Sequence, residues 1–304
     1  MIFDLTKEVK LIRPEARSVF PYSNSLYIDD DIKAMIDAGA GGNAYGKINP
    51  ENVDLVLISH NHFDHINGLS FFKNARIFAG REEAPTYTDP QVFLQFSGFA
   101  RWEELMGQKR LGRLNSLKMP DDVPIGVGFY PVKLNGMFKD GDIFNLGKTS
   151  LKAIHTPGHA CGHYSFYIEK EGILFSADID ISPRGPWYGS ECSDLDELID
   201  SVNRLQSLKP RILVTSHRRI FYENIEQNLR DFINMVFEKE DKLLNFIAQP
   251  RTIDEIAAQD FIYYDEHRDS NAVFWTKMMV IKHLKRFARL HKIKKIEVDK
   301  YVRI

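Results

Sequence analysis

Apolar residues in the first 80 positions fall into short runs broken by turn residues. Segments 9–12, 25–28 and 32–37 have the patterning of strands, and the last runs into a glycine-rich stretch, 38–43, that reads as a flexible loop. Residues 54–59 form a continuous apolar run with β-branched side chains, as expected of a buried strand, and the run ends at His60. Strand character returns at 150–154, 164–169 and 172–177. An amphipathic helix follows over 194–208, with Leu195, Leu198, Ile199, Val202 and Leu205 on one face. Ser193 or Asp194 can cap its start, and Pro210 lies beyond its end. Residues 211–215 make a further strand leading to His217. Beyond it the period is helical over 222–247 and again over 271–290. Between these lies a capping-box signal at Thr252 and Glu255, and after them an alternating tail.

Two segments depart from this rhythm. Residues 81–140 hold five prolines, helix-like patches around 91–107, and the aromatics Tyr87, Phe93, Phe96, Phe99, Trp102, Phe129 and Tyr130. They read as an insertion over one rim of the core, whose aromatics either line a substrate pocket or pack the insertion onto the body. The C-terminal helices, ending in a basic helix and a terminal ribbon, fit a small winged-helix unit. The expected division is therefore 1–232 for the main body and 233–304 for the appendage.

Composition narrows the class. Of 304 residues, 43% are apolar and 12% aromatic, enough for a sizeable core and against disorder. The N-terminus carries charges throughout, unlike a signal peptide, and no apolar run is long enough to span a bilayer, so a cytoplasmic protein is expected. Cys161 and Cys192 are too few and too far apart for a CxxC site or a disulfide framework, and they suit a reducing compartment. The net charge of −2 conceals an asymmetry: residues 277–304 hold ten lysines and arginines against Glu297 and Asp299. A basic end on an acidic body can be a nucleic-acid surface, but a solvated helical face is the commoner explanation and is favoured here.

The histidines carry the chemistry. His60-Asn-His62-Phe-Asp64-His65 puts four metal-ligand side chains in one short turn after a strand. Imidazole and carboxylate suit divalent zinc, iron or manganese. A tetrahedral ion needs ligands converging from separate directions, so the four divide more easily between two ions. In His155-Thr-Pro-Gly-His159-Ala-Cys-Gly-His163, the turn at Pro157-Gly158 presents His159, which is the expected ligand. His155 and His163 are expected to be supporting or structural neighbours. Asp178 is the first carboxylate after an apolar strand, where it would be costly unless paired or metal-bound. Asp180 is the alternative. His217 ends the strand over 211–215 and carries little weight by itself.

Taken in order, these motifs resemble the metallo-β-lactamase superfamily over about residues 1–230. Asp37 follows an early strand, HxHxDH occupies 60–65, a TPGH turn supplies His159, and Asp178 and His217 stand at strand ends. The resemblance implies an α+β fold, a four-layer αββα sandwich with its ligands on loops at one edge of the paired sheets. It implies that His60, His62 and His159 hold one ion, that Asp64, His65 and His217 hold a second, and that Asp178 bridges them. Asp37 would order the ligand loop. One departure is visible: His217 sits in Thr-Ser-His-Arg-Arg rather than the Pro-Gly-His-Gly turn of many relatives, so the second site would be shaped differently.

Two divalent ions in such a site would bring the pKa of water down to about 7 and give a nucleophile without a serine or cysteine, with Asp64 placed to carry a proton. The resulting expectation is a binuclear hydrolase of small esters, thioesters or lactones, zinc being the leading metal. A nucleic-acid phosphodiesterase and an iron-dependent oxidoreductase are the rivals. Arg184, Trp187 and Tyr188, soon after Asp178, are candidates for contacting a small-molecule substrate. A homo-oligomer is compatible with all of this.

Overall fold

A computed structural model describes residues 1–110, 118–263 and 269–304. Seven strands form the first sheet in chain order: β1 (Ile2–Asp4), β2 (Val9–Ile12), β3 (Ser25–Ile28), β4 (Ala34–Ile36), β5 (Leu55–Ile58), β6 (Arg76–Gly80) and β7 (Gly136–Phe138). Neighbours are antiparallel from β1 to β4 and parallel from β4 to β7. The second sheet contains β8 (Ile143–Asn145), β9 (Ser150–His155), β10 (Tyr164–Ile168), β11 (Ile173–Phe175) and β12 (Ile212–Val214), in the order β12-β11-β10-β9-β8. Its pairs are antiparallel apart from β11 and β12, so β9, β11 and β12 all point the same way.

The period-2 rule shows how the sheets are stacked. In β3, Leu26 and Ile28 join one buried cluster while Tyr27 joins another. In β5, Leu55 and Leu57 separate from Val56 in the same manner. Phe166 and Ile168 of β10 and Ile173 and Phe175 of β11 enter the cluster that holds Leu26 and Leu57. The two sheets therefore face each other across that core. Tyr167, Leu174 and Leu213 point outward, into a third cluster built with α5 (Leu195–Ser207), α6 (Ile225–Phe246) and α8 (Ser270–Arg289). The outer face of the first sheet is covered more thinly, by α1 (Gly42–Tyr45) and the segment around Phe72. Helices outside two facing sheets give the expected four layers.

Helix ends follow local chemistry. Asp194 caps α5 by accepting from the backbone of Asp196 and Glu197. At α7 (Ile253–Ala257) both halves of the Thr252–Glu255 capping box are made. The C-terminal strands β13 (Arg251–Thr252), β14 (Ile293–Glu297) and β15 (Lys300–Arg303) form a third sheet, ordered β13-β15-β14.

Several expectations need correction. The stretch 38–43 is not a loose loop: Ala38 and Ala40 are fully buried, and a Cβ on Gly39 would lie 1.7 Å from the Asp64 carbonyl oxygen, so glycine serves close packing against the ligand turn. The insertion expected over 81–140 ends too late, because β7 within it is an edge strand of the first sheet. It does contain α3 (Pro90–Ser97) and α4 (Trp102–Met106), while residues 111–117 lie outside the described ones. The division expected at 232/233 falls inside α6, an uninterrupted helix of 22 residues. Packing is continuous across that position, since α6 and α8 supply Val236, Leu243, Met279, Leu284 and Phe287 to the same core as Leu198 and Leu213.

The basic residues of α8 face the body, whereas Lys292, Lys294, Lys295 and Arg303 beyond it are exposed. Arg286 reaches Glu240 and Asp196, Arg289 reaches Asp194 and Asp196, Lys285 pairs with Glu191, and the Lys282 ammonium donates to the Glu191 carbonyl. Part of the positive charge counted in the sequence thus answers carboxylates of the same chain. Among the described residues, no helix is long and apolar enough to cross a membrane.

Candidate metal centre

Every strand that delivers a donor, or the supporting Asp37, does so from its C-terminal end. Asp37 follows β4 and Ser59-His60 follows β5; β9 leads through His155 to the turn holding His159; Asp178 lies just beyond β11 and His217 just beyond β12. The exits are kinked: Asp37 has φ 61° and Ala177 φ 47°, both in the left-handed region. His62 precedes the single turn α2 (Phe63–Ile66), which carries Asp64 and His65 inward.

His60, His62, His159 and Asp178 bring one donor atom each to within 4.8 Å of one another, and Asp64, His65 and His217 do the same in a second group. Asp178 faces both. Its Oδ2 lies 3.3 Å from His159 Nε2 and 3.7 Å from His60 Nε2, whereas Oδ1 lies 3.0 Å from His65 Nε2 and 3.4 Å from His217 Nε2. His217 Nε2 is also 3.4 Å from Asp64 Oδ2, and His62 Nδ1 is 3.0 Å from His159 Nε2. A tetrahedral ion with bonds of about 2.0–2.1 Å separates its donors by about 3.3 Å. The spacing of both groups fits such an ion.

Polar satisfaction points the same way. His60 Nε2, His65 Nε2 and Asp178 Oδ1 are buried without a hydrogen-bond partner; the 3.0 Å approach of His65 to Asp178 is not aligned as a hydrogen bond. Buried polar atoms are rarely left so unless something else satisfies them. The opposite ring nitrogens are held. His65 Nδ1 donates to Asp37 Oδ2 at 2.7 Å, His159 Nδ1 donates to the Trp187 carbonyl at 2.9 Å, and His60 Nδ1 lies 3.0 Å from Ser59 Oγ. Ser59 in turn donates its hydroxyl and its backbone N–H to Asp37. Each ring is thereby turned with its free nitrogen toward the centre.

Electrostatics divides the two groups. Burial, with neighbouring imidazoles, holds His60 well below the usual histidine range, and burial pushes His62 and His159 down to about 3. These three rings are neutral, with lone pairs available. Burial opposes charge on His65 and His217 as well, but Asp178 with Asp37 or Asp64 more than offsets it. His65 is held well above the ordinary value and His217 is raised to about 9. Burial also opposes ionisation of Asp178, yet His65 and His217 hold it well below the usual carboxylate range. Positive charge is what the second group calls for.

Asp37 is a buried acceptor behind His65 and Ser59. Asp37→Asn should lower metal affinity roughly 10–100-fold, because the ring loses its anionic orienting partner. Competition with a chelator would measure this, and an unchanged affinity would remove Asp37 from the support of the site. Gly158 has φ 119°, and a Cβ there would lie 2.3 Å from the Leu198 backbone nitrogen. Gly158→Ala should therefore cost about 3 kcal/mol or more and displace His159. Chemical denaturation together with metal content would test both effects.

Other residues are placed as follows. His163 Nε2 accepts from the Asp178 backbone N–H at 3.1 Å, and His155 Nε2 donates to the Cys161 carbonyl, closing the 155–163 loop. Asp180 lies partly buried beside Arg218 rather than in either donor group. Trp187 is half-buried, with its ring 5.3 Å from those of both His62 and His159. Arg184 is exposed, its carbonyl accepting from Lys239. Tyr188 cannot wall a substrate pocket, since it is fully buried and donates to His283 on α8. Two residues had no signal in the sequence. Ser190 Oγ lies 3.3 Å from His62 Nε2, and Glu83 accepts from the backbone N–H of Asn61, between His60 and His62.

The solved structure of a metallo-beta-lactamase family protein from Thermus thermophilus superposes with a TM-score of 0.76 at 21% identity, covering 99% of this chain and 100% of that one. A beta-lactamase domain protein from Burkholderia ambifaria gives 0.73 at 17% identity, covering 100% and 93%. Both likenesses are of fold. In sequence, the chain is 27% identical to a hydroxyacylglutathione hydrolase of Francisella tularensis subsp. novicida over 53% of this chain and 47% of that protein. It is 26% identical to an atrochrysone carboxyl ACP thioesterase of Aspergillus fumigatus over 73% and 59%. The chain thus spans about half the length of these curated relatives. The family model of the Metallo-beta-lactamase superfamily matches residues 19–217, from ahead of β3 through the last donor histidine. With well over half its length matched, the chain belongs to the metallo-β-lactamase superfamily.

Proposed function

We propose that this chain is a hydrolase that holds two divalent ions, zinc foremost, and cleaves an acyl thioester, ester or lactone. The observation that carries this reading is the Asp178 carboxylate, with one oxygen toward His60 and His159 and the other toward His65 and His217. His60, His62 and His159 would hold one ion and Asp64, His65 and His217 the other, with Asp178 common to both. Bound there, the ions would supply a nucleophile from water at neutral pH and a Lewis acid for charge gathering on the carbonyl oxygen.

The protein's own groups do the rest. The hydrogen bonds from Nδ1 of His65 and His159 hold both rings to one tautomer and one orientation. Asp64, whose Oδ2 lies 3.4 Å from His217 Nε2, would take a proton from water and return it to the leaving group. Trp187, against His62 and His159, would offer an apolar face to the substrate, and exposed Arg184 could meet an anionic part of it. The two curated relatives favour thioesters among the candidate acyl compounds, since one is named for hydroxyacylglutathione and the other as a thioesterase.

The element order α6, β13, α7, α8, β14, β15 lends support to a winged-helix reading of the C-terminal part. Yet α8, which would have to enter a groove of nucleic acid, has twelve buried residues among its 20. This favours a small-molecule substrate over a nucleic acid.

The test is a hydrolysis screen over thioesters, lactones, phosphodiesters and β-lactams, with metal content measured on the same preparation. Thioester or lactone turnover with two equivalents of zinc is expected. Turnover of phosphodiesters alone would overturn the acyl reading. A single iron with oxygen consumption would replace the hydrolase by an oxidoreductase.

A further inference from the structure

Cys161 and Cys192 are the chain's only cysteines, and the sequence separates them by 31 positions. The fold brings them together. Cys161 lies two residues past His159, Cys192 lies in the segment before α5, and the Cys161 backbone N–H donates to Cys192 Sγ at 3.2 Å. Buried Glu83 reaches the same spot. Its Oε1 accepts from the Gly162 N–H at 3.1 Å and lies 3.9 Å from Cys161 Sγ, while Oε2 accepts from the Asn61 N–H at 2.8 Å. The carboxylate oxygen and both sulfurs lie within 4.8 Å of one another, and both cysteines are half-buried, within reach of solvent.

We propose that Glu83, Cys161 and Cys192 form a third cation site, separate from the histidine centre, for a thiophilic divalent ion of the zinc and cadmium class. Three features support it. Two sulfurs and one carboxylate match the preference of such ions for thiolate with a harder donor completing the set. The N–H donated to Cys192 sulfur is a bond that a metal-bound sulfur would keep, and binding would release one proton from each thiol to solvent. The Glu83 carboxylate is fixed by two backbone N–H groups and keeps unused acceptor positions on its oxygens. Access from solvent leaves room for water as a fourth ligand.

The histidine centre contains no sulfur, so a sulfur-to-cadmium charge-transfer band reports the new site alone. The full chain would be loaded with zinc, freed of excess by gel filtration, and titrated with cadmium. The expected result is an ultraviolet band saturating at one cadmium per chain, with both thiols protected from an aromatic disulfide reagent. Cys192→Ser should remove the band, and Glu83→Gln should weaken cadmium binding at least about tenfold. The Cys161→Ser/Cys192→Ser double variant should keep its far-ultraviolet dichroism and the zinc of the histidine centre. Absence of the band at millimolar cadmium in the wild-type chain would overturn the proposal. So would a band that grows with protein concentration, or loss of both thiols in metal-free buffer and their return with reductant, which would mark a disulfide pair instead.

Discussion

Asp178→Asn is expected to lower kcat/KM more than about a thousandfold, a loss of about 4 kcal/mol in transition-state stabilisation, and to leave the protein folded. Asparagine preserves shape but removes the negative charge that faces four imidazoles within 3.7 Å. Two divalent ions held side by side in this buried site would repel each other strongly, and a shared carboxylate would be the group that relieves this. Metal content should fall by at least one equivalent in parallel with activity. A variant that retained two equivalents and wild-type turnover would end the argument for a shared ligand. Loss of activity with full metal retention would instead assign Asp178 to orienting substrate or water.

Legibility in the sequence followed the range of the interaction involved. The strand over 54–59 and the helix over 194–208 were visible because burial on one or both faces imposes its period locally; the structure has β5 at Leu55–Ile58 and α5 at Leu195–Ser207. The Thr252–Glu255 box was visible because both partners lie within one turn. The residues that the fold gathers into two donor groups were legible as histidines and carboxylates in order after strands, since the loops presenting them are short. What stayed hidden depends on partners distant in sequence. Tyr188 reads as a loop aromatic near Asp178, and only the arrival of His283 from α8 makes it a core residue. Glu83 has no local motif and gains its meaning from Asn61 and Gly162. The spacing of Cys161 and Cys192 argued against a CxxC site or a disulfide framework, and only the folded loops bring the two residues into contact. Glycine at position 39 suggested looseness, where the real constraint is a backbone carbonyl too close for any Cβ.

Truncation after residue 232 is expected to abolish the fold. The cut severs α6 and removes Ile233, Val236, Leu243, Met279, Val280, Leu284 and Phe287, all buried against the outer face of the second sheet and α5. Leu195, Leu198, Val202, Leu205 and Tyr188 would lose their cover. At roughly 1.5–3 kcal/mol for each large apolar side chain returned to water, a handful of such losses matches the whole net stability of about 5–15 kcal/mol expected for a domain. The donors Asp178 and His217 leave the strands beneath this face, so metal binding should disappear with the fold. A milder probe of the same dependence is Glu240→Ala, which takes from Arg286 its buried partner at 2.5 Å, leaves Asp196 as the remaining one, and should cost about 2–3 kcal/mol in urea unfolding. Light scattering and metal analysis of residues 1–232 decide the matter. A monodisperse fragment that unfolds cooperatively and holds zinc would show that the C-terminal helices are an independent appendage, whereas aggregation with a stable full-length chain would make them the fourth layer of the catalytic fold.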